Sequence, residues 1–353
     1  IDQLTFEENG KLFRRVEEVF DCWFESGSMP YAQNHYPFEN QQLTEESLPA
    51  DFIAEGLDHT RGWFYTLTVL SAALFKQPAF KNVIVNGIVL AEDGAKMSKR
   101  RRNYPDPHKL IEECGADAIR LYILQSPAVK ADDLRFSKKG VELVMRQILL
   151  PFYNSFVFLA TYAKIYQWQP RKVPHSPCLT DRWIVSQLQK LIFSVEEALD
   201  RYNLSDAVAP LLHFIDQLTN WYIRRSRPRL WNDADQQDQL AAFSTLHYVL
   251  LNLAKVAAPF IPFLTEAIYQ QLASAADPNS VHLCNYPTYQ PSLRDVSLEQ
   301  EMQLVQQAVS LGHALRKTVK IKVRQPLARA DIAVFNKENF MKILINTNTN
   351  KKT

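Results

Sequence analysis

Cysteine is scarce in this sequence, and neither sign of charge dominates it. The four cysteines, Cys22, Cys114, Cys178 and Cys284, lie far apart and form no Cys-x-x-Cys pair. This spacing argues against a disulfide framework and against a zinc site, and it indicates reduced thiols. The 40 basic and 38 acidic residues leave a formal net charge of +2. A uniformly basic, nucleic-acid-coating surface is thereby excluded, so any contact with nucleic acid has to come from local patches.

Signals for export or membrane insertion are also missing from the sequence. The opening residues are polar and acidic, and they show no signal peptide. No uninterrupted apolar run reaches roughly 18 residues, the length that a membrane-spanning helix needs. We therefore expect a cytoplasmic location and no membrane partner. Because the first residue is Ile1 and not methionine, we also expect a fragment of a longer chain.

A chain of 353 residues is expected to form more than one domain, and its composition changes along its length. Residues 1–166 alternate strand and helix patterns, which is typical of an open α/β sheet. Residues 167–178 contain three prolines and are predicted to be a linker. Apolar residues at helical spacing in residues 179–275 predict an antiparallel helix bundle. Residues 276–353 are predicted to be a truncated C-terminal extension with one further helix.

Apolar patterns and turn residues predict the individual elements. The predicted strands are Asp51–Ala54 and Asn82–Leu90, the second ending at the turn Glu92-Asp93-Gly94. The predicted helices are Arg61–Phe75, His108–Glu113, Asp181–Tyr202, Ser205–Arg227, Asp238–Ala258 and Phe263–Ala273. Ser205 is expected to cap a helix N-terminus and Gly115 to cap a helix C-terminus.

A cluster of positive charge follows the second predicted strand and its acidic-glycine turn. The run Lys96-Met97-Ser98-Lys99-Arg100 continues into Arg101 and Arg102. Two lysines on such a loop can close over a triphosphate and neutralise charge that develops on a leaving pyrophosphate. A solvated basic loop or a localisation signal has the same composition. The short string alone leaves these alternatives open.

The surrounding sequence resembles a known family. The segment NGIVLAEDGAKMSKRRRNYPDP, residues 86–107, resembles the second signature of class I aminoacyl-tRNA synthetases, and GADAIRLYIL, residues 115–124, follows it as in that family. AEGLDHTRGWFY, residues 54–65, resembles the isoleucyl branch, because valyl enzymes carry a more apolar string there. VFDCWFESGSMP, residues 19–30, is similar to the segment that re-enters the catalytic domain after the editing insertion.

The helical half contributes to the same resemblance. NWYIRRSRPRLW, residues 220–231, is similar to the anticodon-binding domain of eukaryotic-type isoleucyl enzymes, and the whole resemblance covers roughly residues 12–330. It implies an α/β then all-α fold: the second half of a doubly wound, Rossmann-type catalytic domain followed by an anticodon-binding helix bundle. The first ATP-binding signature, His-x-Gly-His, does not occur in the sequence, and the editing domain is missing as well.

The resemblance also implies a reaction. The parent enzyme would use ATP with Mg²⁺ to convert L-isoleucine to its adenylate and would then transfer it to tRNA-Ile in the cytoplasm. The fragment by itself is expected to be inactive. A eukaryotic cytosolic type is expected, with a multi-synthetase assembly as a candidate partner. No zinc-ligand spacing is present, so no metal ligand is assigned.

The resemblance assigns roles to individual residues. Lys96 and Lys99 would act on the phosphates, and Trp23 and Trp63 would surround the isoleucine side chain. The residues implied in ATP and adenylate binding are Glu55, Gly56, Asp58, His59, Gly87, Lys96, Met97, Ser98, Lys99 and Arg100. From the residues alone, two acids in a loop are ordinarily surface or capping groups, and tryptophans are ordinarily core. His59 departs from the glutamine that the family usually has.

Four arginines near the end of an apolar helix are the candidate tRNA contacts. Arg224, Arg225, Arg227 and Arg229 stand beside tryptophan and tyrosine, a combination that suits RNA backbone and unstacked bases. Cations at a helix C-terminus also complement the helix dipole, which is an equally good structural explanation. Three other functions compete with an isoleucyl enzyme: a valyl-type synthetase, a non-catalytic tRNA-binding paralogue, and a generic basic-loop nucleotide binder.

Overall fold

The computed structural model describes residues 3–98, 100–170, 176–231, 235–329 and 331. Lys99 therefore lies outside the described residues, as do residues 171–175 of the predicted linker. The chain divides into two compact units. The first comprises residues 1–104 and 126–136, and the second comprises residues 105–125 and 137–353.

The first unit is a small α/β body. Its elements are β1 (Thr5–Glu8), β2 (Lys11–Arg14), α1 (Cys22–Ala32), α2 (Gln41–Ser47), β3 (Ala50–Gly56), α3 (Trp63–Phe75), β4 (Phe80–Asn86), β5 (Val89–Leu90) and β6 (Leu134–Arg135). Strands β1 and β2 form an antiparallel hairpin, whereas β3 pairs with β4 and β5 pairs with β6 in parallel. A short 3₁₀ turn, Leu57–Arg61, leads from β3 into α3.

Helix α3 crosses between the parallel strands β3 and β4 and buries its apolar face there. Ile53, Phe64, Leu67 and Ala79 form the core of this layer. Within the described residues neither β3 nor β4 pairs with a third strand. Phe52 on β3 accordingly remains half exposed, at 51%. The parallel strand–helix–strand unit confirms the predicted α/β class, with two strands in place of a wide sheet.

The predicted strand Asn82–Leu90 is wrong in one respect, since it is two strands. β4 ends at Asn86, and the Gly87 N–H then donates to the carbonyl of Ala128 at 2.8 Å. A side chain at position 87 would lie 1.8 Å from the Asp132 carbonyl oxygen, so this approach of backbone to backbone requires glycine. Val89–Leu90 then pairs with β6.

The second unit is helical. Its elements are α4 (Pro107–Cys114), α5 (Ala116–Leu124), α6 (Lys138–Val144), α7 (Leu150–Ile165), α8 (Leu179–Asp200), α9 (Leu204–Asp216), α10 (Arg224–Trp231), α11 (Gln236–Ala257), α12 (Pro262–Leu272) and α13 (Val296–Thr318). Single π-helical segments, Met145–Leu149 and Gln217–Ile223, join α6 to α7 and α9 to α10. Large side chains fill its core, among them Trp183, Phe214 and Phe243.

Short polar side chains start many of these helices. Asp106, Asp235 and Asp295 each accept a hydrogen bond from a backbone N–H in the first turn of the helix that follows. The predicted N-cap Ser205 is wrong, because α9 begins at Leu204 and Asn203 accepts from the Asp206 N–H at 3.2 Å. Gly115 closes α4 as predicted, with φ at +81°.

The second compact unit begins earlier in the chain than the predicted helical domain. Residues 137–166, predicted to belong to the first domain together with its connecting segment, form α6 and α7 within the helical unit. Part of the predicted linker is packed as well, since the Trp168 indole stacks on Phe243 with ring centroids 5.6 Å apart. Large apolar side chains along α7 need a helical partner, and α11 provides it.

A buried aspartate joins α5 to α12 inside the second unit. The Asp117 carboxylate accepts hydrogen bonds from the Phe263 N–H at 3.3 Å and the Leu264 N–H at 2.7 Å, and so caps a helix with no capping side chain of its own. Burial raises the pKa of Asp117, and these two hydrogen bonds partly oppose that shift. The family-like segment 115–124 therefore has a structural role in this unit.

In the part of the chain that the structure describes, two helical stretches are long and apolar enough, by length and composition alone, to cross a membrane. They are residues 138–165 and 236–257. Polar residues interrupt the apolar sequence of both stretches. Of the second stretch, 67% is buried inside the protein. A core helix of a soluble protein meets the same criteria, so these helices carry little information about a membrane.

Candidate functional site

Strand β3 places a carboxylate at its C-terminal end, where parallel α/β sheets bind their ligands. Glu55 is paired in register with Val85 of β4, and its side chain is 47% exposed. Gly56 ends the strand, and Asp58 follows in the 3₁₀ turn with its side chain exposed. The three predicted adenylate residues therefore stand together at this end of the strand pair, with the Glu55 carboxylate open to solvent.

His59 contacts Glu55 across one turn of the chain. Its Nε2 lies 3.7 Å from Glu55 Oε2, and its Nδ1 is buried without a hydrogen-bond partner. The Trp23 ring and the imidazole meet in a T-shaped arrangement, with centroids 5.2 Å apart and planes at 83°. The histidine that departs from the family pattern is thus wedged between the proposed ammonium-binding carboxylate and one of the proposed pocket tryptophans.

The two predicted pocket tryptophans lie on neighbouring helices of the first unit. Trp23 stands at the start of α1 and is 40% exposed. Trp63 stands at the start of α3, is partly buried against the core, and donates from Nε1 to the Ser26 carbonyl at 3.0 Å. Both side chains therefore belong to the contact between α1 and α3. Trp63 is the more firmly held because its only ring donor is satisfied.

The basic loop begins with the turn that the sequence predicts. Gly94 adopts φ +81°, its N–H donates to the Ala91 carbonyl at 2.8 Å, and Asp93 Oδ1 accepts from the Ala95 N–H at 2.9 Å. Lys96 then forms a β-bridge to Leu90. This bridge holds the Lys96 backbone against β5 and leaves its side chain exposed.

A residue that sequence reasoning missed holds the base of this loop. The Asn103 side chain donates from Nδ2 to the Lys96 carbonyl at 3.2 Å and accepts at Oδ1 from the Ser98 N–H at 2.9 Å. The Ser98 carbonyl in turn accepts from the Arg101 and Arg102 N–H groups. The exposed Arg100 lies between these hydrogen-bonded positions of the chain. The only signal available in the sequence was an asparagine close after a basic run, a residue type that often closes turns.

Three of the four predicted tRNA arginines lie at the surface of the second unit. Arg224, Arg225 and Arg227 are exposed at the junction of the π-helical segment with α10. The Arg225 guanidinium lies 4.1 Å from the centroid of the Trp221 ring, and that of Arg227 lies 5.8 Å from the centroid of Phe158. Exposed guanidinium groups beside aromatic rings are of the kind that RNA bases and phosphates can contact.

Arg229 is different, because its side chain contacts carboxylates within the helical unit. Its guanidinium donates to both carboxylate oxygens of Asp181, at 2.7 and 2.9 Å, and also to Asp238. Its side chain is 15% exposed and that of Asp181 is 1% exposed. These carboxylates hold the pKa of Arg229 above its ordinary value despite its burial. Its hydrogen-bond donors are thus occupied by Asp181 and Asp238, and its assignment to tRNA stays a prediction.

The Tyr222 hydroxyl completes this ion-pair network by donating to Asp181 at 2.9 Å. The tyrosine is fully buried, and burial first and the neighbouring carboxylate second raise its pKa well above the ordinary value. The hydroxyl therefore stays protonated as a donor. The network joins α8, the π-helical segment, α10 and α11 within the helical unit.

No group of three or more His, Cys, Asp or Glu side chains that could hold a metal ion occurs in the part of the chain that the structure describes. The prediction of no protein metal ligand concerns the whole chain and remains a prediction. The acidic side chains at the end of β3 number two, Glu55 and Asp58, and the first is in contact with His59.

Two family models match the chain. Residues 1–136 match the tRNA synthetases class I (I, L, M and V), and residues 181–332 match the anticodon-binding domain of tRNA ligase. The first match covers Glu55 and the basic loop, and the second covers the exposed arginines. The two matches follow each other in the order that the sequence motifs predicted.

Curated relatives at high identity bear the name isoleucine–tRNA ligase. The protein from Protochlamydia amoebophila is 65% identical over 94% of this chain, and that from Chlamydia trachomatis serovar L2 is 57% identical over 93%. The chain covers 32% of each relative, so it spans about a third of their length. These relatives are bacterial and give no support to the expected eukaryotic cytosolic type.

Solved structures share the fold at low identity. An LeuRS of Agrobacterium radiobacter K84, in a ternary complex with tRNA and LeuAMS, matches 83% of this chain and 36% of its own with a TM-score of 0.62 at 18% identity. Methionyl-tRNA synthetase of Mycobacterium tuberculosis, in complex with methionyl-adenylate, matches 74% of this chain and 51% of its own with a TM-score of 0.60 at 20% identity. The chain is therefore a catalytic-domain fragment of Rossmann type followed by the helical anticodon-binding domain of a class I tRNA synthetase.

Proposed function

We propose that the whole protein is an isoleucine–tRNA ligase, which activates L-isoleucine with ATP and transfers it from the adenylate to tRNA-Ile. The observation that carries this proposal is the 65% identity to a relative of that name over 94% of the chain. The string at residues 54–65, which distinguishes isoleucyl from valyl enzymes, lies within the α/β unit at the exposed end of β3. A cytoplasmic location is part of the same proposal.

Within this proposal Glu55 binds the ammonium group of isoleucine. Its carboxylate is exposed at the C-terminal end of a parallel strand, and Gly56 beside it presents backbone without a side chain. A charge-assisted hydrogen bond from an ammonium group to a carboxylate is among the stronger hydrogen bonds available to a protein. Trp23 and Trp63, on the adjoining helices, would surround the aliphatic side chain.

The basic loop would act on the phosphates of ATP. Lys96 is exposed beside the bridge to Leu90, and the Asn103 side chain holds the backbone at Lys96 and Ser98. The role of Lys99 rests on the sequence motif. Positive charges preset around a leaving pyrophosphate stabilise charge as it develops, which is the main catalytic contribution available here. Gly87, Met97 and Arg100 remain proposed contacts on the same grounds of resemblance.

Mg²⁺ would bind here mainly through the phosphates of ATP and not at a site formed by protein side chains alone. Glu55 is in contact with His59 and is the proposed ammonium ligand, and among the described residues no third His, Cys, Asp or Glu joins Glu55 and Asp58 in a group that could hold a metal ion. Mg²⁺ ordinarily binds through one or two carboxylates together with substrate phosphates and water. When bound, the ion would shield the phosphate oxygens, while Lys96 and Lys99 would orient them.

The helical unit would bind tRNA through Arg224, Arg225 and Arg227. Their exposure and their position over aromatic rings support this, and Arg229 is left out because its donors are satisfied by Asp181 and Asp238. Membership of a multi-synthetase assembly is a separate part of the proposal that co-purification from the native source would test.

The test is amino-acid-dependent exchange of pyrophosphate into ATP by the full-length protein. Isoleucine should support exchange best, valine less well, and leucine and methionine little. Equal or better exchange with valine would favour a valyl-type enzyme. No exchange with any amino acid, combined with retained tRNA binding, would favour a non-catalytic paralogue and contradict the proposal.

Glu55→Gln in the full-length protein is expected to weaken binding of a non-hydrolysable isoleucyl-adenylate analogue by about 1.5–3 kcal/mol, the usual size for a hydrogen bond to a charged group. ATP should bind almost unchanged, because it lacks the ammonium group. Titration calorimetry of both ligands measures the difference. Asp51→Asn provides the control, since Asp51 lies at the other end of β3 and pairs with Lys81. Equal analogue affinity in the Glu55 variant and the wild-type protein would remove this residue from the site.

Charge is expected to dominate tRNA binding. Replacing Arg224, Arg225 and Arg227 together by alanine should flatten the slope of log affinity against log salt by roughly one unit or slightly less for each phosphate that is no longer bound. Filter binding of tRNA-Ile across a salt series measures that slope. Arg201→Ala is the matched control, because Arg201 is an exposed helix-end arginine that pairs with Glu197 elsewhere on the unit. A triple variant that folds and keeps the wild-type slope would return these arginines to a helix-capping role.

A further inference from the structure

Helix α1 and helix α3 meet at a buried glycine. A methyl group added to Gly27 of α1 would lie 2.7 Å from Thr66 Oγ1 and 2.8 Å from Thr66 Cβ on α3, with Leu70 Cδ1 at 3.1 Å. Carbon atoms do not approach this closely in packed interiors, so a side chain at position 27 forces the helices apart. The spacing of α1 and α3 at this point is therefore set by the absence of a side chain on Gly27.

Both tryptophans lie at this contact between α1 and α3. Each indole contacts the backbone of the helix region that holds the other tryptophan. Trp63, at the start of α3, donates from Nε1 to the carbonyl of Ser26, the residue that precedes Gly27. Trp23, at the start of α1, covers Gly62, the residue that precedes Trp63, and a methyl group at position 62 would lie 3.2 Å from its Cε2 and Cζ2 atoms. Any movement of α1 relative to α3 therefore moves one indole relative to the other.

We propose that Gly27 is a specificity-determining positioning residue, which sets the separation of Trp23 and Trp63 and thereby the width of the pocket for the isoleucine side chain. This inference rests on the proposed function. A pocket tells isoleucine from valine by one methylene group, and the packing of that group is worth roughly 10–200-fold, a limit for which isoleucyl enzymes are themselves the usual example. A pocket that is wider by a fraction of an ångström packs less closely on the extra methylene and leaves valine nearly unaffected.

Thr66 is the part of α3 that fixes this spacing from the other side. Its Oγ1 donates within its own helix, towards the carbonyls of Gly62 and Trp63 at 3.3 and 3.2 Å, and so it cannot rotate away from Gly27 without losing these bonds. At this contact, position 66 carries a side chain and position 27 must therefore lack one. Moving the side chain from Thr66 to position 27 should restore the spacing.

The experiment compares isoleucine with valine in pyrophosphate exchange by the full-length protein. Gly27→Ala is expected to raise the KM for isoleucine, leave the KM for ATP unchanged, and lower the ratio of kcat/KM for isoleucine to that for valine by about fivefold or more. The ratio is independent of the fraction of folded enzyme, because both amino acids are measured on the same preparation. A glycine that only stabilises the helix contact would lower both rates together and leave the ratio intact.

Two further variants keep the proposal open to contradiction if Gly27→Ala folds poorly. Thr66→Gly removes the opposing side chain, so that α1 can approach α3 more closely and the pocket becomes narrower. This variant should also lower the ratio of kcat/KM for isoleucine to that for valine. The double variant Gly27→Ala/Thr66→Gly places a side chain on α1 and removes the one on α3, and its ratio should return to within about twofold of wild type, because a side chain again stands on only one side of the contact. A double variant no better than the worse single variant would overturn the proposal.

Gly312→Ala is the matched control. Gly312 lies in a helix, and a methyl group added there would meet no atom within 4 Å, so neither the ratio nor either KM should change. If the wild-type protein shows no isoleucine-dependent exchange, the proposed function fails before Gly27 is tested. If the wild-type protein is active and Gly27→Ala and Thr66→Gly both keep the wild-type ratio, the proposed function stands and the role of Gly27 is refuted.

Discussion

Replacing Arg229 by alanine is expected to destabilise the helical unit by about 3–5 kcal/mol, because the change leaves a buried carboxylate without its partner. Asp181 is 1% exposed and receives two guanidinium hydrogen bonds and the Tyr222 hydroxyl. Removal of the cation strands that negative charge in the core. Urea unfolding followed by far-ultraviolet circular dichroism measures the shift in midpoint.

Two companion variants separate the network from a general effect of removing charge. Arg224→Ala removes an exposed arginine of the same helix and should change stability by no more than about 0.5 kcal/mol. Arg229→Lys keeps the charge but cannot reach both Asp181 oxygens and Asp238 with one ammonium group, so an intermediate loss is expected. A midpoint for Arg229→Ala equal to that of Arg224→Ala would contradict the buried network.

Lys99→Ala in the full-length protein is expected to raise the barrier of isoleucine-dependent pyrophosphate exchange by about 2–4 kcal/mol, the usual effect of deleting one electrostatic interaction with a transition state. The motif places this lysine on the basic loop, between the Asn103-held backbone at Ser98 and the exposed Arg100. Binding of isoleucine alone should change little, since the amino acid carries no phosphate. Steady-state exchange kinetics and isoleucine titration give the two quantities.

Arg102→Ala serves as the control for the loop. Arg102 is an exposed cation near the end of the same basic run, where its backbone N–H donates to the Ser98 carbonyl at 2.9 Å, and alanine keeps that bond. If the effect depends on the position of the charge within the loop, the exchange rate of Arg102→Ala should stay close to that of the wild-type protein. An unchanged rate for Lys99→Ala would remove the phosphate role of this lysine. An equal loss for both variants would assign the effect to the general charge of the loop.

The class of fold and its order along the chain were predictable because they depend on local pattern. The turn at Gly94, the C-cap at Gly115 and the helical spacing after residue 179 are set by neighbours a few positions away. The division of the strand at Asn86 was not predictable in this way. It depends on the approach of the Asp132 backbone to Gly87 across 45 positions of sequence, shown also by the Ile88–Asp133 bond.

The candidate site also has some features that local sequence predicts and others that depend on distant contacts. Sequence motifs identified Glu55, Trp23, Trp63 and the basic loop as candidates, because a short motif reflects the residue types that the chemistry requires. Only the tertiary structure could show that Arg229 points into the core, since its partner Asp181 lies 48 positions earlier in the chain. Side-chain type states what a residue can bind, whereas burial and the geometry of distant contacts decide what it does bind. The sequence by itself therefore determined the family, the order of the domains and the candidate chemistry. Packing between distant segments decided which arginines are exposed and how closely α1 approaches α3.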